Sequence, residues 1–336
     1  MYNYLDMCPH LEKVTIHQCG SHACGTETLR CLPKLQFLEI HVQPEANDKV
    51  EEVYTFCFPE QIRTLVLQVH TMDVYLHTLF DSLTGFRSLA CLHLCICGGD
   101  NDFSLALRHL RTLESLHLQG FSFAPAWASD FSCLTKLTLL SFADLSDPVP
   151  LHELAALPAL QTLHLRAYFD GCDSVDWDLD LDMLPELPST LRELRVIMPM
   201  WDPEMSSLRG LANLRVCMLH CTGSVSLPAH MPHLQTLVLD CNHGLVLEDY
   251  LTGFTALRLL SLRDCGQMAV PGAFNQLAAL PHLTCIDVAD SLPENQLDWS
   301  AYEGLPLHGG LPGSLPKDDL RTRPYLVYEG TINYRD

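Results

Sequence analysis

The sequence lacks the features that would place it in a membrane, on a secretory route or on nucleic acid. No apolar run approaches the roughly 18 residues of a membrane-spanning helix, and no Asn-x-Ser/Thr acceptor occurs in the 336 residues. The start, MYNYLDMCPHLEK, has no basic flank leading into an apolar stretch, as a secretory signal would. Basic residues are scarce, because 20 Lys and Arg stand against 41 Asp and Glu, a net charge of −21. We therefore expect neither a membrane nor a nucleic-acid partner.

Motifs of catalytic and nucleotide-binding sites are also absent. The sequence contains no P-loop, G-x-G-x-x-G, G-x-S-x-G or H-E-x-x-H, and its histidines are not assembled around a nucleophile. We expect no enzyme activity and no cofactor. The 15 cysteines are scattered singly through an apolar pattern, as reduced thiols are in cytoplasmic or nuclear proteins, so the sequence favours an intracellular location.

What the chain contains in abundance is one apolar pattern, L-x-x-L-x-L. Apolar residues also recur six and three positions before the first leucine of many copies, and proline often lies two positions before it. Alternating leucines predict a short strand, and the residues before them predict a helical or 3₁₀ return. Twelve copies follow one another at intervals of 20 to 31 residues, and they begin at Leu11, Leu35, Ile62, Leu89, Leu113, Leu137, Leu160, Leu191, Leu214, Leu234, Leu257 and Leu283.

These copies resemble the units of leucine-rich repeat proteins, and the resemblance extends from about Leu5 to Ser291. It implies an α/β solenoid, or horseshoe, of about 12 repeats, with a parallel sheet on the concave face and short helices or 3₁₀ turns on the convex face. We predict the solenoid over residues 1–291 and a C-terminal cap and tail over residues 292–336, where the leucine spacing fails. No polar capping segment precedes the first copy, so we expect an upstream domain or a partner to cover the N-terminal end.

The residues between the strand leucines should point outward onto the concave face, because strand side chains alternate. The middle and last outward positions carry six histidines, three arginines and three acids, which predicts a near-neutral surface that binds another protein. Histidine titrates near neutrality, so this binding could depend on pH. The predicted binding residues are His17, Glu39, His41, His93, His117, His164, Arg166, Arg195, His220, Asp240, Arg263 and Asp287.

Two groups of cysteines lie at corresponding strand positions. Cys91, His93, Cys95 and His117 would lie together on two neighbouring strands, where two or three of them could approach a zinc ion. Their spacing matches no established zinc site, and small side chains also suit a strand surface, so we predict no metal.

Cys221 and Cys241 occupy the same position in consecutive copies, which permits a disulfide, although we expect thiols in a reducing compartment.

The longest interval between copies is acidic. The stretch from Ala167 to Thr190 has no Lys or Arg, and Leu181 and Leu187 stand where an EF-hand needs glycine and glutamate. An EF-hand is therefore excluded, and we predict a solvated acidic loop that could contact a basic partner. Its carboxylates are Asp170, Asp173, Asp176, Asp178, Asp180, Asp182 and Glu186.

The architecture predicts a scaffold that binds a partner protein on its concave face. The cysteine-bearing repeats of irregular length also resemble those of F-box proteins, which implies a substrate-recognition subunit of a ubiquitin ligase. The segment LPSTLRELRV is similar to repeats of plant resistance proteins, which implies the sensor part of an intracellular immune receptor. The 336 residues contain neither an F-box nor a nucleotide-binding module.

Overall fold

The protein is built around a single sheet of 13 parallel strands that follow chain order, with a separate two-stranded parallel sheet of β10 and β12. A computed structural model describes residues 8–19, 26–43, 58–69, 77–96, 107–120, 131–143, 154–166, 187–198, 211, 213–221, 225–226, 230–241, 245–246, 253–263, 280–287 and 307–308. The strands are β1 (Lys13–Cys19), β2 (Phe37–Gln43), β3 (Thr64–Val69), β4 (Cys91–Ile96), β5 (Ser115–Gln119), β6 (Leu139–Ala143), β7 (Thr162–Arg166), β8 (Glu193–Met198), β9 (Val216–Cys221), β10 (Val225–Ser226), β11 (Thr236–Cys241), β12 (Leu245–Val246), β13 (Leu259–Arg263), β14 (Cys285–Asp287) and β15 (Leu307–His308).

All 12 predicted strands are present, and each begins two residues after the first leucine of its copy. The prediction of a parallel solenoid is therefore confirmed. A thirteenth strand, β15, pairs with β14 through Ile286 and Leu307. This strand belongs to the segment assigned from the sequence to the cap and tail, so the sheet continues past residue 291, where the domain boundary stays a prediction.

The returns between strands are built from successive i to i+3 turns. The N–H of Leu110 donates to the carbonyl of Leu107 (3.1 Å), and that of Leu113 donates to the carbonyl of Leu110 (3.0 Å). Because such turns bring residues three apart onto one side, the described apolar residues six and three positions before the first leucine, such as Leu107 and Leu110, reach the core. Among the described returns, regular helix occurs at Thr26–Cys31, which is 3₁₀, and at α1 (His77–Leu83).

One backbone contact repeats at the junction between coils. The carbonyl of Ala90 accepts hydrogen bonds from the N–H groups of Glu114 (2.8 Å) and Ser115 (3.0 Å), and the carbonyl of Glu114 accepts from Thr138 and Leu139. The same pairing recurs along the sheet from Glu12 to Arg258. Each junction therefore sets the register of the next strand.

Side chains that precede the first leucine of a copy add further ties between coils. Thr112 Oγ1 donates to the carbonyl of Leu89 (2.8 Å), and Thr190 Oγ1 donates to the carbonyl of Leu160 (2.7 Å). Gln61 Nε2 reaches the carbonyl of Leu32 in the same way (2.7 Å). The threonine hydroxyls satisfy the carbonyls of Leu89 and Leu160, whereas the carbonyl of Leu32 also accepts from the N–H of Leu35 (3.2 Å).

The inward leucines form one continuous core. Leu38, Leu163 and Leu260 are completely buried, and each contacts equivalent residues of the neighbouring coils. Full burial of such a side chain contributes about 1.5–3 kcal/mol. Cys217 takes a leucine position on β9, where burial raises the pKa of its thiol to about 12 and makes it chemically inert.

The N-terminal end of the core is less well covered. Leu11 and Val14 pack against the cluster but stay partly exposed, whereas Leu38 on the next strand is buried. Cover for this end by a further domain or a partner stays a prediction. Within the described residues, no helix has the length and apolar character needed to cross a membrane.

Leu163→Ala tests how much an inward leucine contributes to the stability of the core. Because Leu163 is completely buried on β7, we expect a loss of about 2–5 kcal/mol in the free energy of unfolding, measured by urea denaturation. Thr162→Ala, on the outward side of the same strand, is the matched control and should cost about 0.5 kcal/mol. Equal losses in the two variants would contradict the inward and outward assignment.

Candidate protein-binding surface

The concave face consists of three rows of side chains that point away from the leucine core. Along β5, side chains alternate between half-buried and buried, as the strand pattern predicts. Each row crosses the sheet from strand to strand, because the strands pair in strict register. The middle row runs through Thr15, Glu39, Val66, His93, His117, Ser141, His164, Arg195, Met218, Val238 and Ser261.

At the N-terminal end of the face, polar side chains contact one another across β1 and β2. Thr15 Oγ1 donates to Glu39 Oε2 (3.1 Å), and His41 Nε2 donates to Glu39 Oε1 (3.1 Å). The rings of His17 and His41 stack with centroids 4.5 Å apart. His17, Glu39 and His41, all predicted to lie on the concave face, therefore contact one another.

His93 and His117 meet at the centre of the face. Their ring centroids are 4.1 Å apart in an edge-to-face arrangement, and His117 Nδ1 lies 2.8 Å from Ser141 Oγ. Neighbouring outward side chains on β3 and β4 are buried as well, with Gln68 at 8% and Cys95 at 2% exposure. This part of the concave face is thus largely shielded from water.

That shielding changes the chemistry of both histidines. Burial lowers the pKa of His93 to about 4, against a smaller raising effect of Glu39. Burial, with smaller contributions from the charges of His93 and His164, lowers the pKa of His117 to about 3. Both rings are neutral at physiological pH, so for these two residues the prediction of titration near neutrality is wrong. The cause is the cost of placing a charge where solvent is excluded.

Glu193 joins two of the predicted residues across β7 and β8. Its Oε1 accepts a hydrogen bond from His164 Nε2 (3.2 Å) and also accepts from the guanidinium of Arg195. The hydrogen bond from His164 is the largest influence that lowers the pKa of Glu193; burial opposes it, and the charge of Arg195 reinforces it. A carboxylate can only accept, so Nε2 of His164 carries the proton.

Glu193 was missed from the sequence because it occupies the first outward position, whereas only the middle and last positions were considered. The signal was present, since Glu193 precedes Arg195 by two residues on one strand and therefore shares its face.

A second feature missed from the sequence is an apolar patch on β8 to β13. Met218 and Val238 are neighbours in the middle row, and Val216 and Leu259 lie in the first row. Together with Ile197 in the last row of β8, all are half-buried at positions where a solvated strand surface normally carries polar residues. We call these five residues the apolar patch.

For the remaining predicted binding residues, the structure describes the side chains of two and only the backbones of three. Arg166 is exposed and His220 is half-buried in the last row. The backbones of Asp240 and Arg263 continue that row, and Asp287 continues the middle row. The side chains of these last three residues lie outside the described part of the structure.

The predicted cysteine pair and the predicted acidic loop also include residues that the structure does not describe. Cys221 and Cys241 are register partners on β9 and β11, but their side chains, like the loop of Asp170, Asp173, Asp176, Asp178, Asp180 and Asp182, are outside the described residues.

No metal centre is formed by the residues described. In those ranges, no three or more His, Cys, Asp or Glu side chains are arranged to hold an ion. Of the four residues weighed for zinc, His93 and His117 contact each other directly. Cys91 and Cys95 lie in the first and last rows of β4, on either side of His93.

Comparison with known proteins agrees with this geometry. No family model and no curated protein matches the sequence. Among solved structures, an internalin (InlF) from Listeria monocytogenes has a TM-score of 0.55 at 14% identity, covering 88% of this chain and 79% of its own. A leucine-rich repeat protein from Leptospira interrogans has a TM-score of 0.53 at 16% identity, covering 97% of this chain and 90% of its own.

The chain folds as a leucine-rich repeat solenoid. At these identities the likeness shows the fold alone. A specific similarity to F-box proteins or to plant resistance proteins is not shown.

Glu193→Gln tests the group of His164, Glu193 and Arg195, which we call the Glu193 cluster. Because the pKa of Glu193 is lowered in the folded protein, its ionised form stabilises the fold above the unfolded pKa, about 4.3. That stabilisation is lost as the pH falls through the folded pKa. We expect a loss of about 1 kcal/mol at pH 7 that shrinks below about pH 4, measured by urea denaturation across pH. Glu114→Gln, at an exposed site, is the matched control and should cost less than about 0.5 kcal/mol at pH 7.

His93 and His117 predict a second effect of pH on stability. Here the folded protein favours the neutral form of the side chain, whereas at Glu193 it favours the ionised form. The unfolded chain binds protons below about pH 6.5, whereas folded His93 and His117 do so only near pH 4 and 3. Stability should therefore decrease as the pH falls from 6.5, by up to about 1.4 kcal/mol per pH unit for each ring.

His117→Asn should reduce that slope in urea denaturation. Nuclear magnetic resonance of the histidine rings should show no titration of His93 or His117 between pH 8 and 5. A midpoint near 6.5 for either ring in the folded protein would refute this account.

Proposed function

We propose that this protein is an interaction scaffold that binds a partner protein on its concave face. The observation that carries the proposal is the chain of cross-strand contacts between outward side chains. Thr15 bonds to Glu39, His117 contacts both His93 and Ser141, and Glu193 joins His164 to Arg195. Separate coils thus present one continuous surface and not isolated side chains.

The dimensions of this surface suit a protein partner. Thirteen strands spaced about 4.8 Å apart extend roughly 60 Å, and five residues of strand extend about 17 Å. The resulting outline of about 1,000 Å² includes the shielded part at His93, and it is of the same order as the roughly 800 Å² that each partner contributes to a typical stable interface. Histidine, arginine, acidic and aliphatic side chains alternate across it, which is the mixed composition of protein interfaces.

Catalysis is a poorer explanation of the same residues. His117 beside the Ser141 hydroxyl has the composition of a base and nucleophile pair. However, a histidine with a pKa of about 3 is too weak a base to remove a hydroxyl proton near neutral pH. Among the described residues this pair therefore supports the surface and not a reaction.

Site-specific photo-cross-linking tests the proposal. A photoreactive amino acid at Thr162 or Val238 on the concave face should capture a specific protein from an extract of the source organism. Capture should disappear when excess unmodified protein competes. The same probe at Arg108, an exposed residue of a return, is the matched control and should capture little. Equal capture at all three sites would contradict a binding role for the concave face.

A further inference from the structure

Three arginines lie on one line at the rim of the sheet, immediately before β8, β9 and β13. The N–H of Arg215 donates to the carbonyl of Arg192 (2.7 Å), that of Gln235 to Arg215 (2.8 Å) and that of Arg258 to Gln235 (2.9 Å). Neighbouring strands lie about 4.8 Å apart, so the three arginines extend over about 14 Å. We call Arg192, Arg215 and Arg258 the arginine rim.

The arginine rim carries charge that the described part of the protein does not neutralise. All three residues are exposed. The ion pairs between described residues join His41 to Glu39 and join His164 and Arg195 to Glu193, and none includes the rim. Glu193 follows Arg192 directly, but its carboxylate is already held by His164 and Arg195. In a chain of net charge −21 with only 20 basic residues, such a row indicates a site for anionic groups.

The apolar patch lies directly beside the arginine rim. Val216 follows Arg215 and Leu259 follows Arg258, and both point onto the concave face next to Met218 and Val238. Exposed arginines and half-buried aliphatic side chains therefore occur on the same neighbouring strands, and Arg215 and Arg258 directly precede patch residues.

We infer that the arginine rim and the apolar patch together bind a protein segment that presents carboxylates along one edge and aliphatic side chains beside them. This inference deepens the proposed function and depends on it. The carboxylates would accept hydrogen bonds from the guanidinium groups, which match them geometrically. The aliphatic side chains would cover the apolar patch and remove it from water.

A protein segment fits this site better than nucleic acid does. A duplex or single strand would bring a long run of phosphates against a chain of net charge −21, and only three arginines would offset that repulsion. The aliphatic patch also offers no aromatic platform on which bases could stack.

Selection from a displayed library of random 12-residue peptides tests the inference on the full chain. We expect enrichment of peptides that combine Asp or Glu with Leu, Ile, Val or Met. The best peptide, measured by fluorescence anisotropy, should bind the triple variant Arg192→Gln, Arg215→Gln, Arg258→Gln about tenfold more weakly, the sum of three exposed charge pairs. Raising the salt concentration should weaken binding to the wild type much more than to this variant.

Two further variants separate the contributions. Arg63→Gln, Arg87→Gln, Arg111→Gln removes the same charge from exposed arginines elsewhere and should leave affinity within about twofold, since the lost charges lie farther away than the screening length. Met218→Thr with Val238→Thr should weaken binding while the salt dependence persists. Circular dichroism and thermal unfolding verify that each variant is folded.

Several results would overturn the inference. They are selection of peptides without acidic residues, no selection at all, or equal affinity of the rim variant and the wild type. Tighter binding of a 15-residue thymidine oligonucleotide than of the best peptide would assign the site to nucleic acid instead. Self-association that the rim variant abolishes would assign it to a second copy of this chain. If these tests fail while Thr162 still cross-links a partner, the scaffold function stands and only this inference is lost.

Discussion

The structure depends on a carbonyl that precedes each strand and accepts two N–H groups from the next coil. Ala90 does this for Glu114 and Ser115, and Glu114 does it for the coil after. Because this contact sets the register, the returns can vary in length without moving the strands. The interval from Leu160 to Leu191 is 31 residues and that from Leu214 to Leu234 is 20, yet both junctions keep the same pairing. The backbone hydrogen bonds at the junctions therefore align the outward side chains of successive strands into rows.

Rows fixed in this way let the face differ in chemistry along its length. Its first strands carry the Glu39 hydrogen bonds, its centre the shielded ring of His93, and β7 and β8 the Glu193 cluster. The apolar patch and the arginine rim follow on β8 to β13. Since each coil is stabilised by its immediate neighbours, one part of the face can change its residues without disturbing the core under another part.

The fold was predictable from the sequence because alternating leucines specify both the strand and its buried side. The neighbouring positions of His93 and His117 followed from the same pattern. Their burial did not, since it depends on how closely the outward side chains of β3 and β4 pack. The arginine rim was missed because Arg215 and its counterparts follow the first leucine of a copy, one position before the outward residues. Comparing that position between copies would have revealed it. Strand β15 carries too little of the leucine pattern to be recognised.

The charge distribution explains how such a face can be selective. His93 and His117 are neutral, and Glu193 and Arg195 compensate each other, so the arginine rim is the main uncompensated charge described on this half of the face. The net charge of −21 disfavours anionic molecules in general, and both this repulsion and the attraction of the rim act mainly within the screening length of about 8 Å. In the binding mode that we propose, an acidic segment gains most from the rim when its aliphatic side chains also contact the apolar patch. A molecule that matches only one of the two features therefore gains less from this site than a segment that matches both.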